Sequence, residues 1–423
     1  MIPSHWKRTR IMAKSRTLPP RYARLAEADP ARRPFLRSWR GMSSPGLVCA
    51  ALALLLAATF SFAQSSVRQA DVIFDHLDQK SGLPSPVVQA VSQDGHGFLW
   101  VGTGSGVSRW DGYHFRNYQF EVGVPGALPD NNIYSMYTDP AGTLWIGTKS
   151  RGVARYDTVR DEFQTFVPAS KEKAYATVYS MVTDGAKGLW VATYKGIDLL
   201  NPATGTFTPV ALEGIKGRVA VVTLVRDREG RIWAGTTSGL FRSDRQGRHF
   251  TLQPVFGKAN VRVWRLLFDR EGRLWIGATQ GAFVLEPSEE KARPIHETTS
   301  GPSLLDQESV DAICEGAPGV IWLGTFGQGI VVVDAKTLET HRVVHDPAYS
   351  TSLPSDMVVT LSTDPADSVW VGTSKGLGRT DPSSGILTFF GATGVAGQDG
   401  RNRGLGCDRR AADERRSPLV GVE

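Results

Sequence analysis

Seven in-phase copies of one residue block, a spacing near 45 residues and four short strands per copy predict an all-β fold: a seven-bladed β-propeller of four-stranded blades. The clearest copy runs Asp139-Pro-Ala-Gly-Thr-Leu-Trp145-Ile-Gly-Thr148 and continues Gly152-Val-Ala-Arg-Tyr-Asp157. Its counterparts are marked by Trp100, Trp145, Trp190, Trp233, Trp275, Trp322 and Trp370, which lie 45, 45, 43, 42, 47 and 48 residues apart. Such a period signals a repeat architecture. One small sheet cannot bury both its faces, whereas sheets packed radially around an axis can, with only short edges exposed.

Within a repeat, the first predicted strand is apolar and β-branched, as in Ile133–Tyr137, and the second carries the tryptophan. The third is Gly152–Tyr156 and the fourth ends in aromatics, Phe163–Phe166. Short strands between regular turn signals read as all-β. The turn between the first two strands opens on an aspartate six residues before the tryptophan in six copies: Asp94, Asp139, Asp184, Asp227, Asp269 and Asp364. Asp at the first corner, with Gly at the fourth as in Asp139 to Gly142, suits a type I turn. In the sixth copy Glu315-Gly316 replaces the aspartate, which predicts an altered turn. The tryptophans read as wedges between blades. Leu-Pro pairs at Leu83, Leu128 and Leu353 read as structural lead-in turns.

The chain of 423 residues divides into three parts. Residues 1–63 read as a basic leader and a Sec signal peptide. Eleven Lys and Arg against Glu27 and Asp29 give residues 1–41 a charge of +9, and a 14-residue apolar run, Leu47 to Phe60, precedes Ala63. Cleavage is expected after Ala63, with Met12 and Met42 as alternative starts and an uncleaved inner-membrane anchor as the competing reading. The apolar run is short of the ~20 residues of a spanning helix. The whole chain is +6, so the rest is −3, and nothing favours nucleic-acid binding by the propeller. Residues 72–391 are the expected propeller. Within them, Val72–Leu77 reads as a spare outer strand that either closes the ring beside Ile386–Phe390 or forms a loose arm. Residues 392–423 lack aromatics and strand patterning, and read as a disordered tail or as translation out of frame after a truncation.

The pattern D-x-x-G-x-[LI]-W-[VI]-G-T…G-[LVI]-x-R-[YW]-D resembles the two-component regulator propeller repeat. The copies run from Asp94 to Asp111, Asp139 to Asp157, Asp184 to Asn201, Asp227 to Asp244, Asp269 to Glu286, Glu315 to Asp334 and Asp364 to Asp381. The resemblance implies a periplasmic or secreted ligand-sensing input domain of a hybrid histidine kinase or diguanylate cyclase. It also implies a homodimer or a receptor partner. The kinase and cyclase motifs of such receptors do not occur in these 423 residues, so the expectation is a non-enzymatic domain without its own output module.

Most inner-strand positions repeat as packing residues. The exceptions cluster near the strand starts: Asn132, Tyr134, Tyr179, Arg262, Trp264, Arg265 and Asp311. Aromatic faces with Arg and Asp suit a small polar ligand, such as an oligosaccharide or an organic anion. The competing reading is a hydrated channel whose residues pair with one another. A glycosidase-like propeller and a protein-interaction scaffold are the alternative functions. No cofactor or metal is expected: Cys314 and Cys407 cannot build a zinc site, and His341 and His345 fall in a strand rather than on a helix.

Overall fold

The computed structural model describes residues 72–168, 177–185, 188–257, 261–297 and 303–380. These form seven four-stranded antiparallel sheets. Six sheets use consecutive strands in chain order from the axis outward. Their inner strands are Val88–Gln93, Ile133–Thr138, Val178–Thr183, Val221–Arg226, Val263–Phe268 and Val310–Glu315. The seventh sheet runs Val358–Thr363, Val369–Thr373, Gly376–Thr380, and takes its outermost strand, Phe74–Leu77, from the other end of the propeller. Each inner strand neighbours the next, and Val358–Thr363 lies beside Val88–Gln93, so the ring closes.

The N-terminal strand joins blade seven and closes the ring: it pairs with the third strand of that blade, Phe74 opposite Thr380 and Leu77 opposite Leu377. Its hydrophobic side holds it there: Phe74, only 1% exposed, packs with Val72, Leu353 and Val371. The Phe74 amide also donates to Thr351 O at 2.9 Å. Residues 386–390, the leader and the tail lie outside the described residues.

One device recurs in the blades. The aspartate that opens the first turn accepts the indole Nε1–H of its tryptophan through Oδ2: Asp94 from Trp100 at 2.8 Å, Asp139 from Trp145 at 3.0 Å, Asp227 from Trp233 at 2.9 Å, Asp269 from Trp275 at 2.8 Å and Asp364 from Trp370 at 3.2 Å. Its Oδ1 meanwhile accepts turn amides, such as those of Ala141 and Thr143 on Asp139. The buried indole donor is thus satisfied by the residue that shapes the turn. In blades one, two, four and seven the arginine of the third strand (Arg109, Arg155, Arg242, Arg379) lies over the same indole, 5.1 to 5.9 Å from the ring centre.

Blade six shows how the altered turn works. Gly316 stands six residues before Trp322, in the place of the aspartate, and its amide donates to Val320 O at 3.0 Å. A Cβ there would come within 2.9 Å of the Trp322 indole nitrogen. The carboxylate has moved one residue back: Glu315 accepts the Gly319 amide and, from blade five, the Arg270 amide.

Close approach of neighbouring blades explains the glycine two residues after the tryptophan in six blades; blade three has Ala192 there. A Cβ at Gly372 would stand 2.7 Å from Val88 Cγ1, across the seam where the ring closes, and one at Gly324 would stand 2.5 Å from Val358 Cγ1. The missing side chain lets the β-branched start of the next inner strand seat itself. The three lead-in leucines are buried as expected, Leu83 at 3% exposure, Leu128 at 1% and Leu353 at 0%.

Candidate functional site

The first residue of all seven inner strands is β-branched and wholly buried: Val88, Ile133, Val178, Val221, Val263, Val310 and Val358. The residue after it is treated differently. In every blade the ladder to the second strand slips there, so that Val88 and Ala90, for example, are paired while Gln89 between them is not. This is a β-bulge repeated seven times, and a bulge re-aims a side chain. The bulge residues in blade order are Gln89, Tyr134, Tyr179, Val222, Trp264, Asp311 and Val359. None is fully buried. Four of the seven residues singled out in the sequence, Tyr134, Tyr179, Trp264 and Asp311, occupy this one structural position, at the same mouth of the central channel.

Two neighbouring bulge residues meet. The Tyr134 and Tyr179 rings lie edge to face with centroids 5.8 Å apart. Burial pushes the Tyr179 phenol up, and its tyrosine neighbours Tyr134 and Tyr194 add to the shift. Trp264 donates its indole N–H to Thr279 Oγ1 at 3.0 Å, in the loop between the second and third strands of its own blade. That loop therefore shares the mouth. Its counterparts in blades three and six, Tyr194 and Phe326, are 48% and 59% exposed and extend the aromatic rim. The sequence reading missed both; the signal was their fixed place directly after the repeated Thr of the second strand, at Thr193 and Thr325.

The remaining candidates flank the bulges. Asn132 lies two residues before its bulge; its amide donates to Asp130 Oδ1 at 3.1 Å, and its side-chain Oδ1 is buried without a donor among the described residues. The same holds for Gln89 Oε1 in the adjacent blade. Arg262 lies just ahead of the inner strand rather than on it, and is exposed. Arg265 follows its bulge at a position held elsewhere by Ala, Ser or Thr. It bridges blades five and six, donating Nε–H to Asp311 O at 3.1 Å. Burial pulls this guanidinium down from its ordinary range, and the Asp311 carboxylate opposes the shift. That carboxylate itself accepts Ser309 Oγ–H at 2.5 Å. The structure thus brings Tyr134, Tyr179, Trp264 and Asp311 to one rim with Asn132 and Arg262 beside them, and assigns Arg265 to the seam between two blades.

Among the described residues no group of His, Cys, Asp and Glu could hold a metal ion. Cys314 is buried, and that burial pushes its thiol up to about 12. No helix among them is long and apolar enough to cross a membrane.

Comparison with known proteins agrees with this architecture. The family model described as "Two component regulator propeller" matches residues 82–105, 127–150 and 257–280. In blades one, two and five these windows hold the bulged inner strand and the tryptophan strand. No curated protein sequence matches the chain. Among solved structures, the chain is similar to an extracellular domain described as that of a hybrid two-component system of B. thetaiotaomicron, with 22% identity and a TM-score of 0.63 over 74% of this chain and 42% of that one. A second such domain from that organism, described as that of a one-component system, gives 22% and 0.61 over 73% and 40%. The chain therefore spans about two fifths of those domains. It is also similar to virginiamycin B lyase of Staphylococcus aureus, at 10% identity and a TM-score of 0.56 over 73% of this chain and 98% of the lyase. At these identities the likeness concerns the fold. Three stretches of this seven-bladed propeller, in blades one, two and five, match the two-component regulator propeller repeat.

Proposed function

We propose that this propeller is a ligand-sensing input domain, periplasmic or secreted, that binds a small polar ligand at the bulge-lined mouth of its channel. The observation that carries this reading is the contrast between two adjacent positions. The strand-opening residue is the same kind in all seven blades, while the bulge residue beside it is Gln, Tyr, Tyr, Val, Trp, Asp or Val. Packing demands explain the first position and leave the second free to follow a ligand. Aromatic faces at Tyr134, Tyr179 and Trp264 suit stacking on a sugar ring, so an oligosaccharide fits the site. Arg262 and Asp311 would fix its orientation. Binding needs no chemistry, and the domain acts by passing its ligand-bound state to a receptor partner or a second copy.

Calorimetric titration of the full chain with a panel of oligosaccharides tests this. Binding that falls tenfold or more in Trp264→Ala and Tyr134→Ala, with melting temperatures unchanged, is the expected result. Loss of stability without loss of binding would refute the assignment of the mouth. Turnover of aryl glycosides would replace sensing with a glycosidase-like function.

A further inference from the structure

A cleft lies away from the mouth. The outer strands of blades four and five, Phe250–Leu252 and Arg293–Ile295, are three residues long, against four or five in blades one, two, three and six. Between these two blades a cleft of about 690 Å³ opens, with apolar surface from Trp233, Val255, Phe268, Leu274 and Leu285. That volume lies within the range of small-molecule sites.

Arg242 gives the cleft its chemistry. Its guanidinium lies 5.1 Å from the centre of the Trp233 ring. The equivalent arginines over other tryptophans each have a fixed acceptor: Arg109 donates to Tyr156 Oη at 3.0 Å, Arg155 to Gln164 Oε1 at 2.5 Å and Arg379 to Ser368 Oγ at 3.3 Å. Arg242 has no hydrogen bond or ion pair to the described residues. The nearby carboxylates are engaged elsewhere. Arg231 holds Asp227 and Glu229 at 2.6 and 2.7 Å, Arg293 holds Glu286 and Glu289 at 2.9 and 3.5 Å, and Arg273 meets Glu271 at 3.2 Å. Glu290, exposed at the rim, is the one lining acid left without an ion pair. Partial burial pulls the Arg242 guanidinium down from its ordinary range and the charge of Arg231 adds to this, while the charges of Asp227 and Glu229 oppose it. A half-buried cation with five donors, set over an indole and with no side-chain acceptor among the described residues, is a carboxylate receptor in form.

We propose that the cleft between blades four and five is a second binding site, for a small organic acid whose carboxylate meets Arg242 and whose apolar or aromatic body lies on Phe268 and Leu285. This site is separate from the channel mouth and does not depend on the sensing reading.

The test is calorimetric titration of the full chain with N-acetylphenylalanine and with its uncharged amide. The acid should bind, the amide about tenfold more weakly or worse, since a hydrogen bond to a charged group is lost. Arg242→Met keeps the apolar stem over Trp233 and should weaken the acid by a similar factor, Arg242→Lys by less. Trp264→Ala, at the mouth, should leave acid binding unchanged. Equal binding of acid and amide, no binding of the acid, or an Arg242→Met chain that binds the acid as the parent does would each overturn the proposal. The acid–amide comparison on the parent chain holds even if a variant fails to fold.

Discussion

Ring closure can be tested at one side chain. Phe74 is 1% exposed, on a strand that is distant in sequence from every other strand of its sheet. Phe74→Ala removes a buried aromatic from the core of blade seven, at a cost of about 3–5 kcal/mol. For the roughly 310 residues of the ring, an unfolding entropy of about 2.1 cal/mol/K per residue makes each kcal/mol worth about 1.5 °C, so the melt should fall by about 5–8 °C. Asp75→Ala, next along the strand but exposed, is the control and should shift the midpoint by less than about 1 °C. Deleting the chain through Leu77 removes the strand pairing as well and should cost more than Phe74→Ala. Thermal unfolding followed by tryptophan fluorescence is a suitable assay, because Trp322 packs in the same cluster as Phe74. A Phe74→Ala chain or a deleted chain that melts with the parent would mean that the strand is not part of the ring's stability.

Three further outcomes follow from the geometry. Asp269→Ala strips partners from the Trp275 indole and from Arg273, both buried, and should cost about 3–5 kcal/mol in denaturant unfolding, against about 1–3 for Asp364→Ala, where the indole bond is 3.2 Å and Arg379 stands 3.8 Å away. Burial works to raise the Asp269 pKa, but the Trp275 and Arg273 bonds outweigh it and hold the carboxyl below its usual range. Its contribution is therefore present above the unfolded value of about 4 and is lost as pH falls through the lower folded value, so the gap between parent and Asp269→Ala should narrow below pH ~4. Gly324→Ala would force a Cβ against Val358 and should cost about 1–3 kcal/mol, whereas Gly104→Ala, which meets no atom within 4 Å, should cost less than about 0.5; equal melts for the two would argue against close blade contact.

Much of this fold was legible in the spacing of the tryptophans, because a repeat announces its period whatever its details. The six-residue interval from aspartate to tryptophan was equally plain, but its meaning was not. The spacing identified a turn, and only the folded hairpin brings Oδ2 back onto the indole. The channel-facing candidates were found as departures from a packing pattern, yet the bulge that unites Tyr134, Tyr179, Trp264 and Asp311 was invisible, since a slipped ladder leaves no mark in one strand's residues. Arg265 looked like its neighbour Arg262 because side-chain direction on either side of a bulge depends on the slip. The cleft beside Arg242 depends on how far two outer strands extend, and strand ends are poorly encoded in local sequence.

A bulged residue takes no part in holding its sheet together. Exchanging Tyr134 for another side chain leaves Ile133 seated under Gly102 and the ladder on either side undisturbed. The same ladder slip recurs in every blade, although Trp264 also bonds Thr279 Oγ1 in the loop of its own blade. On the proposed reading, the mouth offers seven positions on a fixed frame, where selectivity would drift one side chain at a time with little penalty to folding. A scaffold of this kind can acquire a new ligand faster than it can lose its shape.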